Sequence, residues 1–155
     1  KLVDRLKLKP SDLVIDIGSN DGTILEGFKS RGIRVLGVEP TNIADIAIQN
    51  GIDTINEFFS EEVAKQILYN YGKASLIVGA NVFAHVARLG SLLRGVNLLL
   101  EENGIFLNES HYLMDILDKV QYDSIYHEHL RFYSLKSMKM LMQYYNFGII
   151  LLTPP

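Results

Sequence analysis

Leu13-Val14-Ile15-Asp16-Ile17-Gly18-Ser19-Asn20-Asp21-Gly22 is the stretch from which the rest of the chain is read. Its first five residues are nearly all branched and apolar, and Pro10-Ser11-Asp12 and Gly18 bound them. A short continuous apolar run between turn residues predicts a strand buried on both faces. The glycines that follow allow a tight turn and let a ligand come close to the backbone. Thr23 to Ser30 then reads as a helix, with Ile24, Leu25 and Phe28 on one face and Gly32 closing it.

The same alternation continues outward. Arg34 to Val38 and Thr54-Ile55 are predicted strands, separated by a helix over Asn42 to Asn50 that Gly51 stops. Glu61 to Tyr71 is helical, with Val63, Ile67 and Leu68 on its buried side. Ala74 to Val78 is a fourth strand, Leu89 to Leu100 a helix, and Gly104 to Asn108 a fifth strand. Leu135 to Tyr145 carries Met138, Leu141 and Met142 at helical spacing, and Gly148 to Leu152 is a predicted sixth strand. Strands alternating with helices imply right-handed crossovers and a parallel sheet covered on both faces. The expected fold is therefore α/β: a Rossmann-like, doubly wound, mostly parallel sheet with its last strand missing, whose ligands sit at the carboxyl ends of the strands.

Composition narrows the function classes. With 155 residues the chain suits one domain with a single substantial core. A net charge of −3, with no cluster of Lys or Arg, leaves no electrostatic footprint for nucleic acid. The absence of cysteine rules out disulfides and cysteine-ligated metals within this stretch. No apolar run reaches the roughly 18 to 20 residues that span a bilayer, and no signal-peptide pattern opens the chain, so a cytoplasmic location is expected. The chain starts at Lys1 rather than Met and ends at Pro154-Pro155 beside an apolar run, which reads as a piece of a longer protein.

Glu39-Pro40 ends the second strand as Gly18-Ser19-Asn20-Asp21-Gly22 ends the first. A carboxylate in that position can accept hydrogen bonds from ribose hydroxyls, Pro40 can pack on a base, and Phe58-Phe59 can add apolar wall, with Asn56 or Glu57 at the base edge. Together these residues predict a nucleoside pocket. A dinucleotide loop would show Gly-x-Gly-x-x-Gly, and here Asn20 and Thr23 stand at the second and third glycine positions. The alternative is that Asp16 and Asp21 merely cap a helix and that Glu39 is a solvated strand end.

Val14 to Thr23, Leu36-Gly37-Val38-Glu39-Pro40, Ala80-Asn81-Val82-Phe83-Ala84-His85 and above all Tyr122-Asp123-Ser124-Ile125-Tyr126-His127-Glu128-His129 with Phe132-Tyr133-Ser134-Leu135 resemble the sugar C-methyltransferases. The resemblance runs from about Leu13 to Ile150. It implies S-adenosylmethionine as methyl donor, held by Asp16, Gly18, Ser19, Asn20, Gly22, Glu39, Pro40, Phe58 and Asn81, with no metal in this segment. It implies a nucleotide-linked keto-deoxysugar as acceptor, and flanking domains of the same chain, one of them a cysteine-rich zinc module. By the same resemblance His129 is the general base, with Tyr126 and Glu128 as the other polar members of the site.

The chemistry makes sense of those residue types. A ketone acidifies the neighbouring carbon, a base near the working pH removes its proton, and a donor must steady the oxyanion that forms. If residues 126 to 129 were extended, Tyr126 and Glu128 would share one face and His127 and His129 the other. Histidines at alternate positions could also ligate a metal together with His85 or His111, or be structural. His85, in an apolar run, reads more readily as a packing residue than as one bordering the acceptor. A nicotinamide-dependent oxidoreductase and a non-catalytic domain of the same fold remain as other readings.

Overall fold

The computed structural model describes residues 1–150. Five parallel strands form one sheet in the order β3-β2-β1-β4-β5: β1 Leu13–Ile17, β2 Arg34–Val38, β3 Thr54–Ile55, β4 Ala74–Ala80 and β5 Leu100–Glu109. The helices are α1 Leu2–Leu6, α2 Thr23–Lys29, α3 Ala44–Gln49, α4 Glu61–Tyr71, α5 Leu89–Leu99, α6 Leu113–Asp118 and α7 Leu135–Tyr144. The chain moves outward from β1 to β3, then returns to place β4 on the other side of β1. That reversal between β1 and β4 is where an open α/β sheet binds its ligand. The α/β, Rossmann-like expectation holds.

β1 is buried at every residue because both of its faces are covered. Leu13, Ile15 and Ile17 pack with Val63 and Ile67 of α4 and with Leu92, Leu93 and Val96 of α5. Val14 points the other way, into Leu25 and Phe28 of α2, Ala47 of α3, and Leu76 and Val78 of β4. Pleat alternation puts Asp16 on that second face, one step beyond Val14 and at the mouth of the sheet. Its register neighbours are Gly37 on β2 and Val78 on β4.

Several boundaries differ from the sequence expectation, among them the end of β4, which runs on from Val78 to Ala80. Gly148 to Ile150 form no strand, and Leu151 and Leu152 of the predicted sixth strand lie outside the described residues. The helix predicted from Asn42 begins only at Ala44, because Thr41 and Asn42 are spent in a turn whose carbonyls receive the amides of Ala44 and Asp45. β5 starts earlier, at Leu100, where an irregular register with β4 lets it take in the polar Glu101-Glu102-Asn103. Helices α1 and α6 were not foreseen: each is a single short amphipathic stretch, too brief for periodicity to stand out.

Candidate active site

The turn after β1 is shaped by close approach. Gly18 has φ +72°, and a Cβ there would lie 2.9 Å from Val82 Cγ2. A side chain at that position would be strained by its backbone and blocked by its neighbour. The amides of Gly18 and Ser19 both donate to Val38 O, at 2.8 and 3.3 Å, which ties the loop to the end of β2. On β2, a Cβ at Gly37 would sit 2.5 Å from Ser19 Oγ. Glycine at 37 is therefore what makes room for Ser19.

Three polar side chains are buried in this chain's described part: Asp16, Ser19 and Glu39, all beside this loop. Glu39 is fully engaged. Its Oε2 accepts the Asn20 amide at 3.1 Å, and its Oε1 accepts the Thr41 amide at 3.0 Å and the Thr41 hydroxyl at 2.7 Å. It is not a solvated strand end. Asn56, expected at a base edge, instead donates from Nδ2 to the carbonyls of Glu39 and Thr41, at 2.9 and 2.6 Å, bracing that loop.

Asp16 and Asp21 part company. Asp21 precedes the N-cap of α2 and turns back on the first helical residue, its Oδ1 accepting the amide and hydroxyl of Thr23 at 3.1 and 2.8 Å, and these bonds hold its carboxyl below the usual range. Asp16 caps nothing. It is 1% exposed, and neither of its oxygens, nor Ser19 Oγ, has a hydrogen-bond partner among the described residues. Burial, and then the charge of Glu39, push its carboxyl up to about 7. Orphaned buried oxygens mark a place built for a polar ligand.

Of the other expected pocket residues, Gly22 is the N-cap of α2 at φ +83°, and Asn20 takes a left-handed turn at φ +50°. Pro40 is half-buried beside Glu39. Phe58 is 81% exposed, while Phe59 turns inward against the core. Asn81 ends β4 at φ +57°, its amide donating to Glu109 O at 2.9 Å.

Beyond Asn81 the same loop builds a second half of the site. Val82 touches the glycine turn, and three residues later His85 reaches the distinctive histidine block. Residues 130–133 run alongside 83–87: the Leu130 amide donates to Ala84 O at 2.8 Å, Arg131 donates to the carbonyls of Val86 and Ala87, and the Tyr133 hydroxyl donates to Phe83 O at 3.5 Å. Phe83, wholly buried, anchors this seam by packing edge-on against Tyr133 and tilted against Phe106.

His129 thereby comes to rest among aromatic rings. His85 lies 4.9 Å away, His111 5.4 Å, Tyr126 4.2 Å and Phe132 6.0 Å, centroid to centroid. Its Nδ1 is 2.8 Å from Ser124 O. A carbonyl only accepts, so Nδ1 carries the proton and Nε2 is left bare. Tyr126 Oη, 3.0 Å from that Nε2, donates to it.

The extended alternation across residues 126–129 does not occur. The segment turns, with the His129 amide donating to Tyr126 O at 3.0 Å, so Tyr126 and His129 share a side. His127 is left at the surface, with Glu128 Oε1 3.9 Å from its Nε2. Glu128 makes no hydrogen bond to His129 among the described residues. His85, read from sequence as packing, is exposed and borders His129. Among the described residues no group of three or more histidines or carboxylates is arranged as a metal site; both nitrogens of His129 are already engaged. Thr41, Ser124 and Arg131 carry no sequence signal of their roles, because they act through backbone groups that only folding brings near.

A sheet that reverses at β1/β4, a glycine turn over buried carboxylates and a strand-end loop joining it to a histidine is the arrangement that known proteins can be asked about. The family model described as a methyltransferase domain matches residues 1–152. The chain belongs to that family. The C-methyltransferase NovU of Streptomyces niveus is 38% identical over 149 residues, covering 96% of this chain and 36% of that protein. The chain thus spans about a third of the length of that curated relative. Solved structures share the fold: a SAM-dependent methyltransferase from Archaeoglobus fulgidus has a TM-score of 0.73 at 15% identity, covering 95% of this chain and 73% of that one. The YcgJ protein from Bacillus subtilis gives 0.71 at 18%, covering 93% and 65%. The plantazolicin methyltransferase BpumL, in complex with SAH, gives 0.68 at 14%, covering 86% and 55%. The nicotinamide reading is set aside for a methyltransferase domain. No helix among the described residues of this domain is long and apolar enough to cross a membrane.

Proposed function

We propose that this domain methylates a carbon next to the ketone of a nucleotide-linked deoxysugar, using S-adenosylmethionine. The observation that carries the reading is the bare Nε2 of His129, held in its tautomer by Ser124 O at 2.8 Å and met by Tyr126 Oη at 3.0 Å. The loop that borders this base also touches the glycine turn through Val82. The name of NovU, a C-methyltransferase, supports carbon as the nucleophile.

The donor's fit rests on the unpartnered oxygens of Asp16 and Ser19 and on the close approaches at Gly18 and Gly37. Oε2 of Glu39, which takes only the Asn20 amide, keeps a lone pair for a ribose hydroxyl, and Asn20, Gly22, Pro40, Phe58 and Asn81 complete the donor site in this reading. Bound there, S-adenosylmethionine supplies an electrophilic methyl on a sulfonium. The residues supply the rest. His129 Nε2 takes the acidic proton from the acceptor carbon, and its Nδ1–H bond to Ser124 O keeps the ring aligned as it becomes imidazolium. The Tyr126 hydroxyl, released from Nε2, turns its proton to the oxygen where charge develops. Glu128, exposed beside them, is free to bind a sugar hydroxyl.

The test uses the full-length protein, S-adenosylmethionine and a nucleotide-linked keto-deoxysugar, with the product's new methyl located by NMR. His129→Asn should abolish transfer, and also exchange of the acceptor's acidic hydrogen with deuterated water, while S-adenosylhomocysteine still raises the melting temperature. A methyl found on oxygen or nitrogen, or unchanged turnover in His129→Asn, would overturn the reading.

A further inference from the structure

Asp16 and Glu39 are two carboxyls on neighbouring strands, facing the same side of the sheet beneath one glycine turn. They are treated very differently. Glu39 takes three hydrogen bonds, from the Asn20 amide and from the amide and hydroxyl of Thr41. Nothing in the described residues donates to Asp16.

The surroundings of Asp16 can be taken element by element. β4 sets Val78 against it in register, and α2 covers that face with Leu25 and Phe28. The loop adds the hydroxyl of Ser19, and Asp21, which is exposed and turned to Thr23. β2 adds Glu39, whose charge opposes ionisation of Asp16. Among the described residues neither carboxylate is paired with a Lys or Arg. A second negative charge there is opposed by burial and by its neighbour alike, which favours the protonated form of the carboxyl that no group donates to.

We propose that Asp16 is protonated in the free protein and gives its proton to solvent when the cationic methyl donor binds, so that donor capture is coupled to proton release. The inference rests on the donor named above and is independent of the acceptor. A sulfonium and an α-ammonium bring positive charge into the pocket where two carboxyls meet, which favours the ionised form of both. The O–H bond of Asp16 breaks, its electron pair stays on the carboxylate, and the proton passes to buffer. A neutral nucleoside brings no such charge and leaves the proton in place.

Titration calorimetry of S-adenosylmethionine into the protein near pH 6, in buffers of contrasting ionisation heat, reads the released proton directly. The expected result is close to one proton per site, with Kd tightening about tenfold from pH 5.5 to pH 7. Asp16→Asn, which keeps the shape of the protonated carboxyl, should release none and show a flat Kd over that range. 5′-Methylthioadenosine, which is neutral, should release none from the native protein. A binding heat independent of buffer in the native protein, or the same proton count in Asp16→Asn, would overturn the coupling. Equal release with 5′-methylthioadenosine would overturn the part assigned to donor charge. Failure of S-adenosylmethionine to bind at all would sink this inference and the donor assignment together, whereas binding without methyl transfer would count only against the acceptor reading.

Discussion

At His129 two bonds of opposite sense meet on one ring. The Ser124 carbonyl holds a proton on Nδ1, and the Tyr126 hydroxyl points a proton at Nε2. The ring is thus held by a bond at each of its nitrogens. Replacing Tyr126 by Phe leaves the Ser124 bond and the ring stacking but removes the donor. In steady-state assays of the full-length protein, kcat should fall by roughly 100- to 1000-fold, the range found for loss of one oxyanion donor, while the Kd for S-adenosylhomocysteine stays unchanged. A fall confined to KM would assign Tyr126 to acceptor binding alone. The same contrast of partners separates Asp21 from Asp16: one carboxylate binds Thr23 at the surface, the other is sealed against the sheet.

Between elements, the decisive contact is the seam of residues 83–87 with 130–133. Arg131 reaches across it to two successive carbonyls, a task that suits the forked guanidinium and not a single ammonium. Arg131→Ala should let the segment bearing His129 drift against the loop bearing His85. Since small misplacements of a reacting group are costly, kcat is expected to drop at least about tenfold. Donor binding, which depends on the β1 and β2 turns, should hold, and Arg131→Lys should recover only part of the rate. An equal loss of donor affinity, seen by calorimetry, would mean that the two halves of the site move as one. Phe83, buried beneath the seam, ties it to the sheet through Phe106 and to Tyr133.

For the molecule as a whole, Asp16 makes stability depend on pH in an unusual sense. Its folded carboxyl is pushed up to about 7 from the ordinary carboxylate range, first by burial and then by Glu39. Below about pH 4 both states hold the proton and there is no penalty. Between pH 4 and 7 the unfolded chain loses it while the folded protein keeps it, so stability falls as pH rises, and above 7 the loss is complete. From pH 5 to 7.5 the contribution is on the order of 3 kcal/mol. Urea unfolding without donor should therefore show the native protein losing stability over that interval relative to Asp16→Asn. Parallel curves for the two proteins would remove Asp16 as the cause.

How much of this was legible beforehand follows from the range of the forces involved. β1, α2, β2 and α4 were read to within a residue, because buried strands and amphipathic helices write their periodicity locally. The glycine turn and Glu39 were read for the same reason: turn chemistry and a strand-end carboxylate are neighbours in sequence. The Tyr126 to His129 block was recognisable as a motif, yet its pairing was not. An extended reading put His127 with His129, and only the turn fastened by His129 N and Tyr126 O joined Tyr126 to His129. What tertiary structure alone decided was which polar groups found partners. Thr41 and Asn20 bonded to Glu39, Ser124 fixed the tautomer of His129, Arg131 aligned the loop with His85, and no group among the described residues reached Asp16. Hydrogen bonds are made to whatever the fold brings within about 3 Å, and residues far apart in the chain leave no mark of that meeting in the sequence between them.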